Sequence, residues 1–295
     1  MHNFTTVRHG WRSTLLLIGP PLAIYLVFAV LPIAVAGYFS LTDWDGIRRN
    51  IDFVGLDNYG RLLGDREVHR AVLVTTFIAV AATIIVNAIA IPLAVLLSHD
   101  DLVTRVHRSA VFFPLVLSPI VVGFLWQSTL STTGLLNGLL VALGADRVVF
   151  LGTPTAAVAS IAFVTIWQSL GLTTILYLAA LRTIPDDLYE AARIDGAGAR
   201  AQFVHVTFPL LAPAITVIVV LLLILFMRLY EYVLVMTQGG PAGSTQSLAY
   251  LLVIEAFERG RYGYGSAIAI VMLAMVGAVA LVLVALLRRR ESAVT

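Results

Sequence analysis

Three observations predict an all-α, polytopic membrane fold with six spanning helices. First, 59% of the 295 residues are hydrophobic and only 12% are charged, with a mean hydropathy of +0.94. That leaves too little polar surface to cover a water-soluble domain of this size. Second, six apolar runs reach the roughly 20 residues a helix needs to cross about 30 Å of hydrocarbon. Third, the arginines are scattered between those runs rather than gathered on one stripe.

The same composition excludes several chemistries. Cysteine is absent, so thiolate metal sites, disulfide frameworks and thiol nucleophiles are excluded. All 19 Lys-plus-Arg positions are arginine. Without lysine there is no nucleotide-cradling loop ending Gly-Lys-Ser/Thr and no Schiff base, so any nucleotide energy must come from a partner. A net charge of +2 without a basic stripe gives no footprint for nucleic acid. The six histidines are dispersed with no His-Glu-x-x-His, which leaves metal-assisted hydrolysis without ligands.

The first predicted span, 14–38, follows Arg8 and Arg12 and ends near a small-residue Ala34-Val35-Ala36 pattern. Its apolar run is longer than the 7–15 residues of a signal peptide, so it reads as a retained helix kinked at Pro20, Pro21 and Pro32. Neighbouring helices are expected to satisfy the carbonyls freed there. The loop 39–70 mixes Trp44, Phe53, Leu56, Tyr59 and Leu62 with six acids, a pattern for short helices on the outer face. Spans follow at 71–97, 109–128, 154–181, 208–236 and 264–287. Segment 134–143 is apolar but too short to cross, and suits a re-entrant or interfacial helix. An even number of spans puts both termini on one side with loops 98–108 and 182–207. Ten arginines fall on that side against eight on the other, and Arg288 to Arg290 close the last span, which favours cytoplasmic termini. The chain thus divides into a cytoplasmic segment 1–13, a membrane domain 14–287 and a basic cytoplasmic tail 288–295.

The loop 182–207 carries the most information. Pro185 followed by Asp186 and Asp187 is a helix-start pattern, and Gly196 with Gly198 is a stop. Between them Leu188, Ala191, Ala192 and Asp195 share one face of a short amphipathic helix, small enough at the alanines for a partner to approach closely. Spacing alone is equally compatible with a solvated connecting helix.

Glu190-Ala191-Ala192, then Gly196, then Val206-Thr207-Phe208-Pro209 resembles the EAA loop, EAA-x3-G-x9-I-x-L-P, of membrane subunits of binding-protein-dependent ABC importers. Val206 and Phe208 replace the usual Ile and Leu with apolar residues suited to the same packing. Phe53-Val54-Gly55-Leu56-Asp57-Asn58-Tyr59, Gly134-Leu135-Leu136-Asn137, Ile184-Pro185 and Thr237-Gln238-Gly239-Gly240-Pro241 are similar to the sugar-permease branch, the first of its two membrane subunits. Val74-Thr75-Thr76 departs from it, since Asn is expected before Thr. The resemblance covers about residues 14–287.

It implies the type I importer permease fold and a permease half that pairs with a second, homologous membrane subunit, two cytoplasmic ATPases and an extracytoplasmic solute-binding protein. The location implied is the plasma membrane of a bacterium or archaeon. The chain itself would hold no cofactor, with ATP and magnesium on the ATPases, and would not be an enzyme. Asp187, Leu188, Glu190, Ala191, Ala192, Asp195 and Gly196 would form the ATPase-coupling site, with Glu190 as the polar contact and Gly196 as the turn that sets the helix angle.

Polar side chains inside spans mark a solute path or interhelical hydrogen bonds. In the fourth span Thr165, Gln168, Ser169 and Leu172 fall at i, i+3, i+4 and i+7, with Trp167 and Thr173 beside them. In the fifth, Arg228 and Glu231 at i, i+3 suit a helical ion pair, near Phe226, Leu229, Tyr230 and Tyr232. Amide, hydroxyl and aromatic groups together suit a sugar, which presents polar edges and apolar C–H faces. Spans four and five thus offer a candidate path for a sugar-like substrate. The rival readings are an ion-coupled secondary transporter, whose relay would have to be Arg228 with Glu231, and a membrane-embedded enzyme, for which no nucleophile, base and ligand set is present.

Overall fold

The computed structural model describes residues 11–99 and 101–291, with side chains from 17 to 99 and 101 to 285. The side chains of Arg8, Arg12 and Arg288 to Arg290, on which the charge count leans, lie outside the described residues, as do segments 1–10 and 292–295. Helices α1 (Trp11–Tyr25) and α2 (Leu31–Phe39) are joined by a π-helical turn, Leu26–Val30. Then come α3 (Asp57–Gly64), α4 (Arg66–Leu96), α5 (Leu102–Val116), α6 (Pro119–Leu130), α7 (Leu135–Ala142) and α8 (Pro154–Leu181). The remainder is α9 (Asp186–Ile194), α10 (Ala199–Gln202), α11 (Phe208–Leu210), α12 (Ala212–Met227), α13 (Leu248–Val253) and α14 (Tyr262–Glu291). Among the described residues the only β pairing is a bridge between Thr42 and Phe53.

Four helical segments are long and apolar enough to cross a membrane: Leu17–Phe39, Arg66–Leu96, Pro154–Leu181 and Tyr262–Ala285. Two more predicted spans are bent, not straight, which corrects the expectation of six uninterrupted helices. The run 109–128 breaks at Leu117 and Ser118, and Leu102–Val116 lies at 100° to Pro119–Ala142. Pro119 cannot donate a hydrogen bond and disfavours a helical conformation at Ser118, whose ψ is 140°. Ala199–Leu210 meets Ala212–Met227 at 65°, so the fifth run starts four residues later than its hydropathy suggests. Pro213 has no N–H to offer the Pro209 carbonyl, and the ladder is interrupted there. The same run also ends early, at Met227 instead of 236.

By contacts the chain forms two units, Met1–Leu63 with Leu252–Val271, and Gly64–Leu251 with Met272–Thr295. In the first, no side chain from Leu17 to Phe39 is fully buried within this chain. The helix runs on through Pro20 and Pro21, and the π-helical turn lies just before Pro32. The loop after α2 is fixed by polar groups: buried Asn58 donates from Nδ2 to the carbonyls of Ser40 (2.9 Å) and Thr42 (2.8 Å), and Tyr59 Oη lies 2.7 Å from Ser40 Oγ. Trp44 stacks on Phe39 (4.4 Å) and meets Tyr262 edge-on (5.1 Å). Glu255 is 1% exposed and held by Arg259 (2.5 Å) and Arg261 (2.6 Å).

In the second unit α4 packs along α8 and α12, and α5 along α8. The buried face of α4 is dominated by small and β-branched residues, Ala71, Thr75, Ala79, Ala82, Val86 and Ala90, at spacings of three to four. Its other face exposes Leu73 (70%) and Phe77 (62%). Small residues inside and large apolar ones outside invert the pattern of a water-soluble helix and suit a lipid surround. Gly171 of α8 permits a close crossing: a Cβ there would stand 2.8 Å from the Val111 carbonyl oxygen of α5. Tyr177 of α8 donates to the Asn87 side chain of α4. Arg108 caps the end of α4, donating to the carbonyl of Leu97 (2.6 and 2.8 Å) and to that of His99 (2.9 Å). A cation on the last carbonyls of a helix complements its dipole.

Candidate functional site

The predicted surface helix forms as α9, one residue short of the predicted face because Asp195 is its C-cap. Asp186 and Asp187 sit in its first turn and Arg193 in its last, each the favourable sign for the helix dipole. Gly196 has φ +80°, its N–H donates to Arg193 O (3.0 Å), and Ala197 N–H reaches Ala192 O (2.8 Å). These are the paired bonds of a Schellman stop, whose left-handed position favours glycine. Gly198 does not share this role. At φ −70° it is the residue before α10, so it begins the next helix rather than ending this one.

Asp187, Leu188, Glu190, Ala191, Asp195 and Gly196 are exposed, and Ala192 is half-buried. The helix is anchored from the opposite side by Tyr189, whose hydroxyl lies 3.0 Å from Thr207 Oγ1. Helical spacing does not single out Tyr189, which lies off the face shared by Leu188, Ala191 and Asp195. Gln202 Nε2 donates to Ala197 O (2.8 Å), which ties the stop to α10. The result is a firmly terminated helix that exposes Glu190 together with Asp187, Leu188 and Ala191. Phe208 is 49% exposed and touches Phe203 (6.3 Å between ring centres), while His205 is exposed.

The second candidate site is a cavity of about 420 Å³ beside α8, between the break at Leu117 and a second one where α12 ends at Met227. Thr165, Gln168, Ser169 and Leu172 line it from α8, and Phe226, Arg228, Leu229 and Glu231 from the end of α12 and beyond. Trp167 turns instead to Trp126 (5.5 Å), and Tyr230 to Tyr250 (6.3 Å). The sequence reading missed Leu115, Leu117 and Pro119, which the break brings to the wall, and undervalued Tyr232.

Gln168 is fully engaged. Its Nε2 donates to Leu117 O (2.8 Å) and Pro114 O (3.3 Å), and its Oε1 accepts from the Tyr232 hydroxyl. The Leu117 carbonyl sits at a helix end, so the amide satisfies a backbone group that the break orphaned. The expected helical ion pair between Arg228 and Glu231 is absent. The helix stops at Met227, Arg228 takes φ −97°, ψ 23°, and Leu229 and Tyr230 are not helical, so the i, i+3 geometry never arises. Among the described residues the side chains of Ser169, Arg228 and Glu231 have no hydrogen bond or ion pair. The cavity therefore offers a hydroxyl, a guanidinium and a carboxylate above apolar walls, groups that bind a polyhydroxylated molecule. Ser247 Oγ satisfies the Leu229 carbonyl at the second break.

Other motifs have local structural roles. Asn137 Nδ2 donates to Ser131 O and Val148 O (both 2.9 Å) and its Oδ1 accepts from Val148 N–H (2.7 Å), pinning α7 to its flanking loops. Thr75 accepts from Leu248 N–H (2.8 Å), so the departure at Val74-Thr75-Thr76 leaves a working tertiary bond.

The family described as the binding-protein-dependent transport system inner membrane component matches residues 87–293. The chain is 30% identical over 286 residues to the probable starch degradation products transport system permease protein of Thermoanaerobacterium thermosulfurigenes, covering 94% of each. It is 35% identical over 268 residues to the trehalose/maltose transport system permease protein of Thermococcus litoralis, covering 88% of each. Its fold is like that of a chain in the crystal structure of a bacterial alginate ABC transporter in complex with an alginate pentasaccharide-bound periplasmic protein, at TM-score 0.82 and 23% identity over 95% of this chain and 96% of that one.

Proposed function

The chain belongs to the binding-protein-dependent transport system inner membrane component family, and from that membership we propose that it is one permease half of an ATP-driven importer of a sugar or related polyhydroxy solute. It would line the translocation path with a second permease, receive solute from an extracytoplasmic binding protein and be driven by two cytoplasmic ATPases carrying ATP and magnesium. The observation that supports this best is α9: a helix ended by a Schellman glycine, anchored by Tyr189 and exposing Leu188, Glu190 and Ala191 to a partner. Asp187, Ala192, Asp195 and Gly196 would complete the docking surface. Ser169, Arg228 and Glu231 would meet the solute, with Thr165, Leu172, Phe226 and Leu229 shaping the cavity around it. The ion-coupled alternative has no support in the family match or in the relatives, which carry the names of transport system permeases. The termini would be cytoplasmic in a bacterial or archaeal plasma membrane.

The test is uptake into vesicles by the assembled complex. ATP inside should drive accumulation of a labelled oligosaccharide, and a protonophore should leave it unchanged. Accumulation without ATP that a protonophore abolishes would overturn the reading. For topology, a cysteine at exposed Asp146 should label from outside intact cells, and one at exposed Arg200 only after permeabilisation.

A further inference from the structure

Beneath α9 lies a separate cleft of about 680 Å³, which neither the coupling surface nor the solute cavity uses. Its walls come from the end of α4, the end of α8, α9 and the α10 region. Three basic side chains from three of these walls line it: His99, Arg182 and Arg193. Among the described residues the lining holds one carboxylate, Asp186, and Asp101 acts on His99 from just before α5. None of the four lining groups makes an ion pair among the described residues. Arg193 commits only its Nε, to Tyr189 O at 3.3 Å, which leaves its terminal nitrogens free to bind. The floor is apolar, formed by Leu178, Leu181 and Phe203.

Arg182 and Arg193 bring two like charges to one cleft with an apolar floor, so each raises the cost of holding the other there. An anion relieves that repulsion. The flat guanidinium fork matches the oxygens of a phosphate group in two-point contacts, which an ammonium does not. Tyr189 of α9 and Gln202 of α10 also line the cleft, with their polar ends engaged by Thr207 and by the Ala197 carbonyl. We infer that this cleft binds a phosphate group, carried either by a free phosphomonoester or by an anionic lipid headgroup whose chain lies along the apolar floor. Because α9 and its anchor Thr207 form part of the wall, occupancy would hold α9 against the α8 end.

The experiment uses the purified, assembled complex in two arms. Inorganic phosphate and glucose 6-phosphate are titrated in neutral detergent, with phosphorus NMR line broadening as the readout. Nanodiscs of phosphatidylglycerol are compared with phosphatidylcholine alone, with amide exchange over residues 182–207 as the readout. Saturable broadening identifies a free phosphomonoester, whereas exchange slowed about tenfold only in phosphatidylglycerol identifies a lipid headgroup. The paired variant Arg182→Gln with Arg193→Gln should abolish the effect, and the paired lysine variant should retain part of it. Asp186→Asn should tighten binding several-fold, a gain that a misfolded protein cannot imitate. No effect in either arm, or an effect unchanged in the glutamine pair, overturns the site. Loss of ATP-driven uptake with phosphate binding intact would count against the importer reading and leave this site standing.

Discussion

The surface helix α9 and the cavity at the helix breaks are built in opposite ways. Every determinant that starts and stops α9 lies between Pro185 and Ala197, and only its anchor, Tyr189 to Thr207, reaches as far as 18 residues. The cavity depends on Gln168, whose partners are 51, 54 and 64 residues away. A local motif survives changes elsewhere in the chain, whereas a cavity held by one amide between two breaks does not. A lesion in α9 should therefore disable function with the fold intact, and a lesion at Gln168 should damage the fold first.

The largest expected effect is in α9. Glu190→Ala, or a bulky residue at Ala192, should weaken ATPase association by about 5–150-fold, the range of a coupling energy of about 1–3 kcal/mol, with normal yield of the folded subunit. Gly196→Val should do as much, because a β-branched residue resists φ +80° and the helix loses its stop. Normal solute-stimulated ATP hydrolysis in these variants would break the comparison on the α9 side.

Next is Gln168→Ala, which orphans the Leu117 carbonyl and the Tyr232 hydroxyl. Leaving such buried groups unpaired costs about 1–3 kcal/mol, to be read as a loss of thermal stability and of assembled complex. Tyr232→Phe should lose about half as much, since the Gln168 amide keeps its carbonyl partners. If Gln168→Ala assembles normally and only KM for uptake shifts, Gln168 contacts solute and the structural role assigned to it is wrong.

A smaller effect on stability, but a distinct one on transport, is expected at the unengaged groups. Ser169→Ala and Glu231→Gln should change assembly by well under about 1 kcal/mol while altering the ranking of oligosaccharides in competition for uptake. An unchanged ranking would move the path away from this cavity.

The smallest effect tests a local cap. The Asp101 carboxylate accepts from Thr104 N–H (2.6 Å), and this bond holds its pKa below the ordinary 3.8. A depressed folded-state pKa contributes stability above the unfolded value that is lost as pH falls through the lowered one. The stability that Asp101 contributes should therefore be constant from neutral pH down to the carboxylate range and be lost below it, and Asp101→Asn should shrink the acid-side decline. An identical acid limb in the variant would remove Asp101 from the account.

The sequence by itself determined the helical class, the membrane setting and α9, because hydropathy, proline and glycine act within a few residues of where they stand. It placed the fourth span, 154–181, at its observed bounds for the same reason. It also gathered eight of the ten path residues that share the cavity, since helical periodicity alone puts Thr165, Gln168, Ser169 and Leu172 on one face. It held no record that Trp167 and Tyr230 turn to neighbouring aromatics, or that Arg228 and Glu231 stay unpaired, because each depends on where a neighbouring ring or a helix break falls. Only the tertiary structure decided that runs 109–128 and 208–236 are broken, and that Gln168 is spent on the carbonyl freed at Leu117. An apolar run reports that a segment is buried or lipid-facing but carries no record of its direction. The backbone groups freed at a break can be left unpaired only at a cost, so their position is fixed by whichever distant side chain arrives to satisfy them.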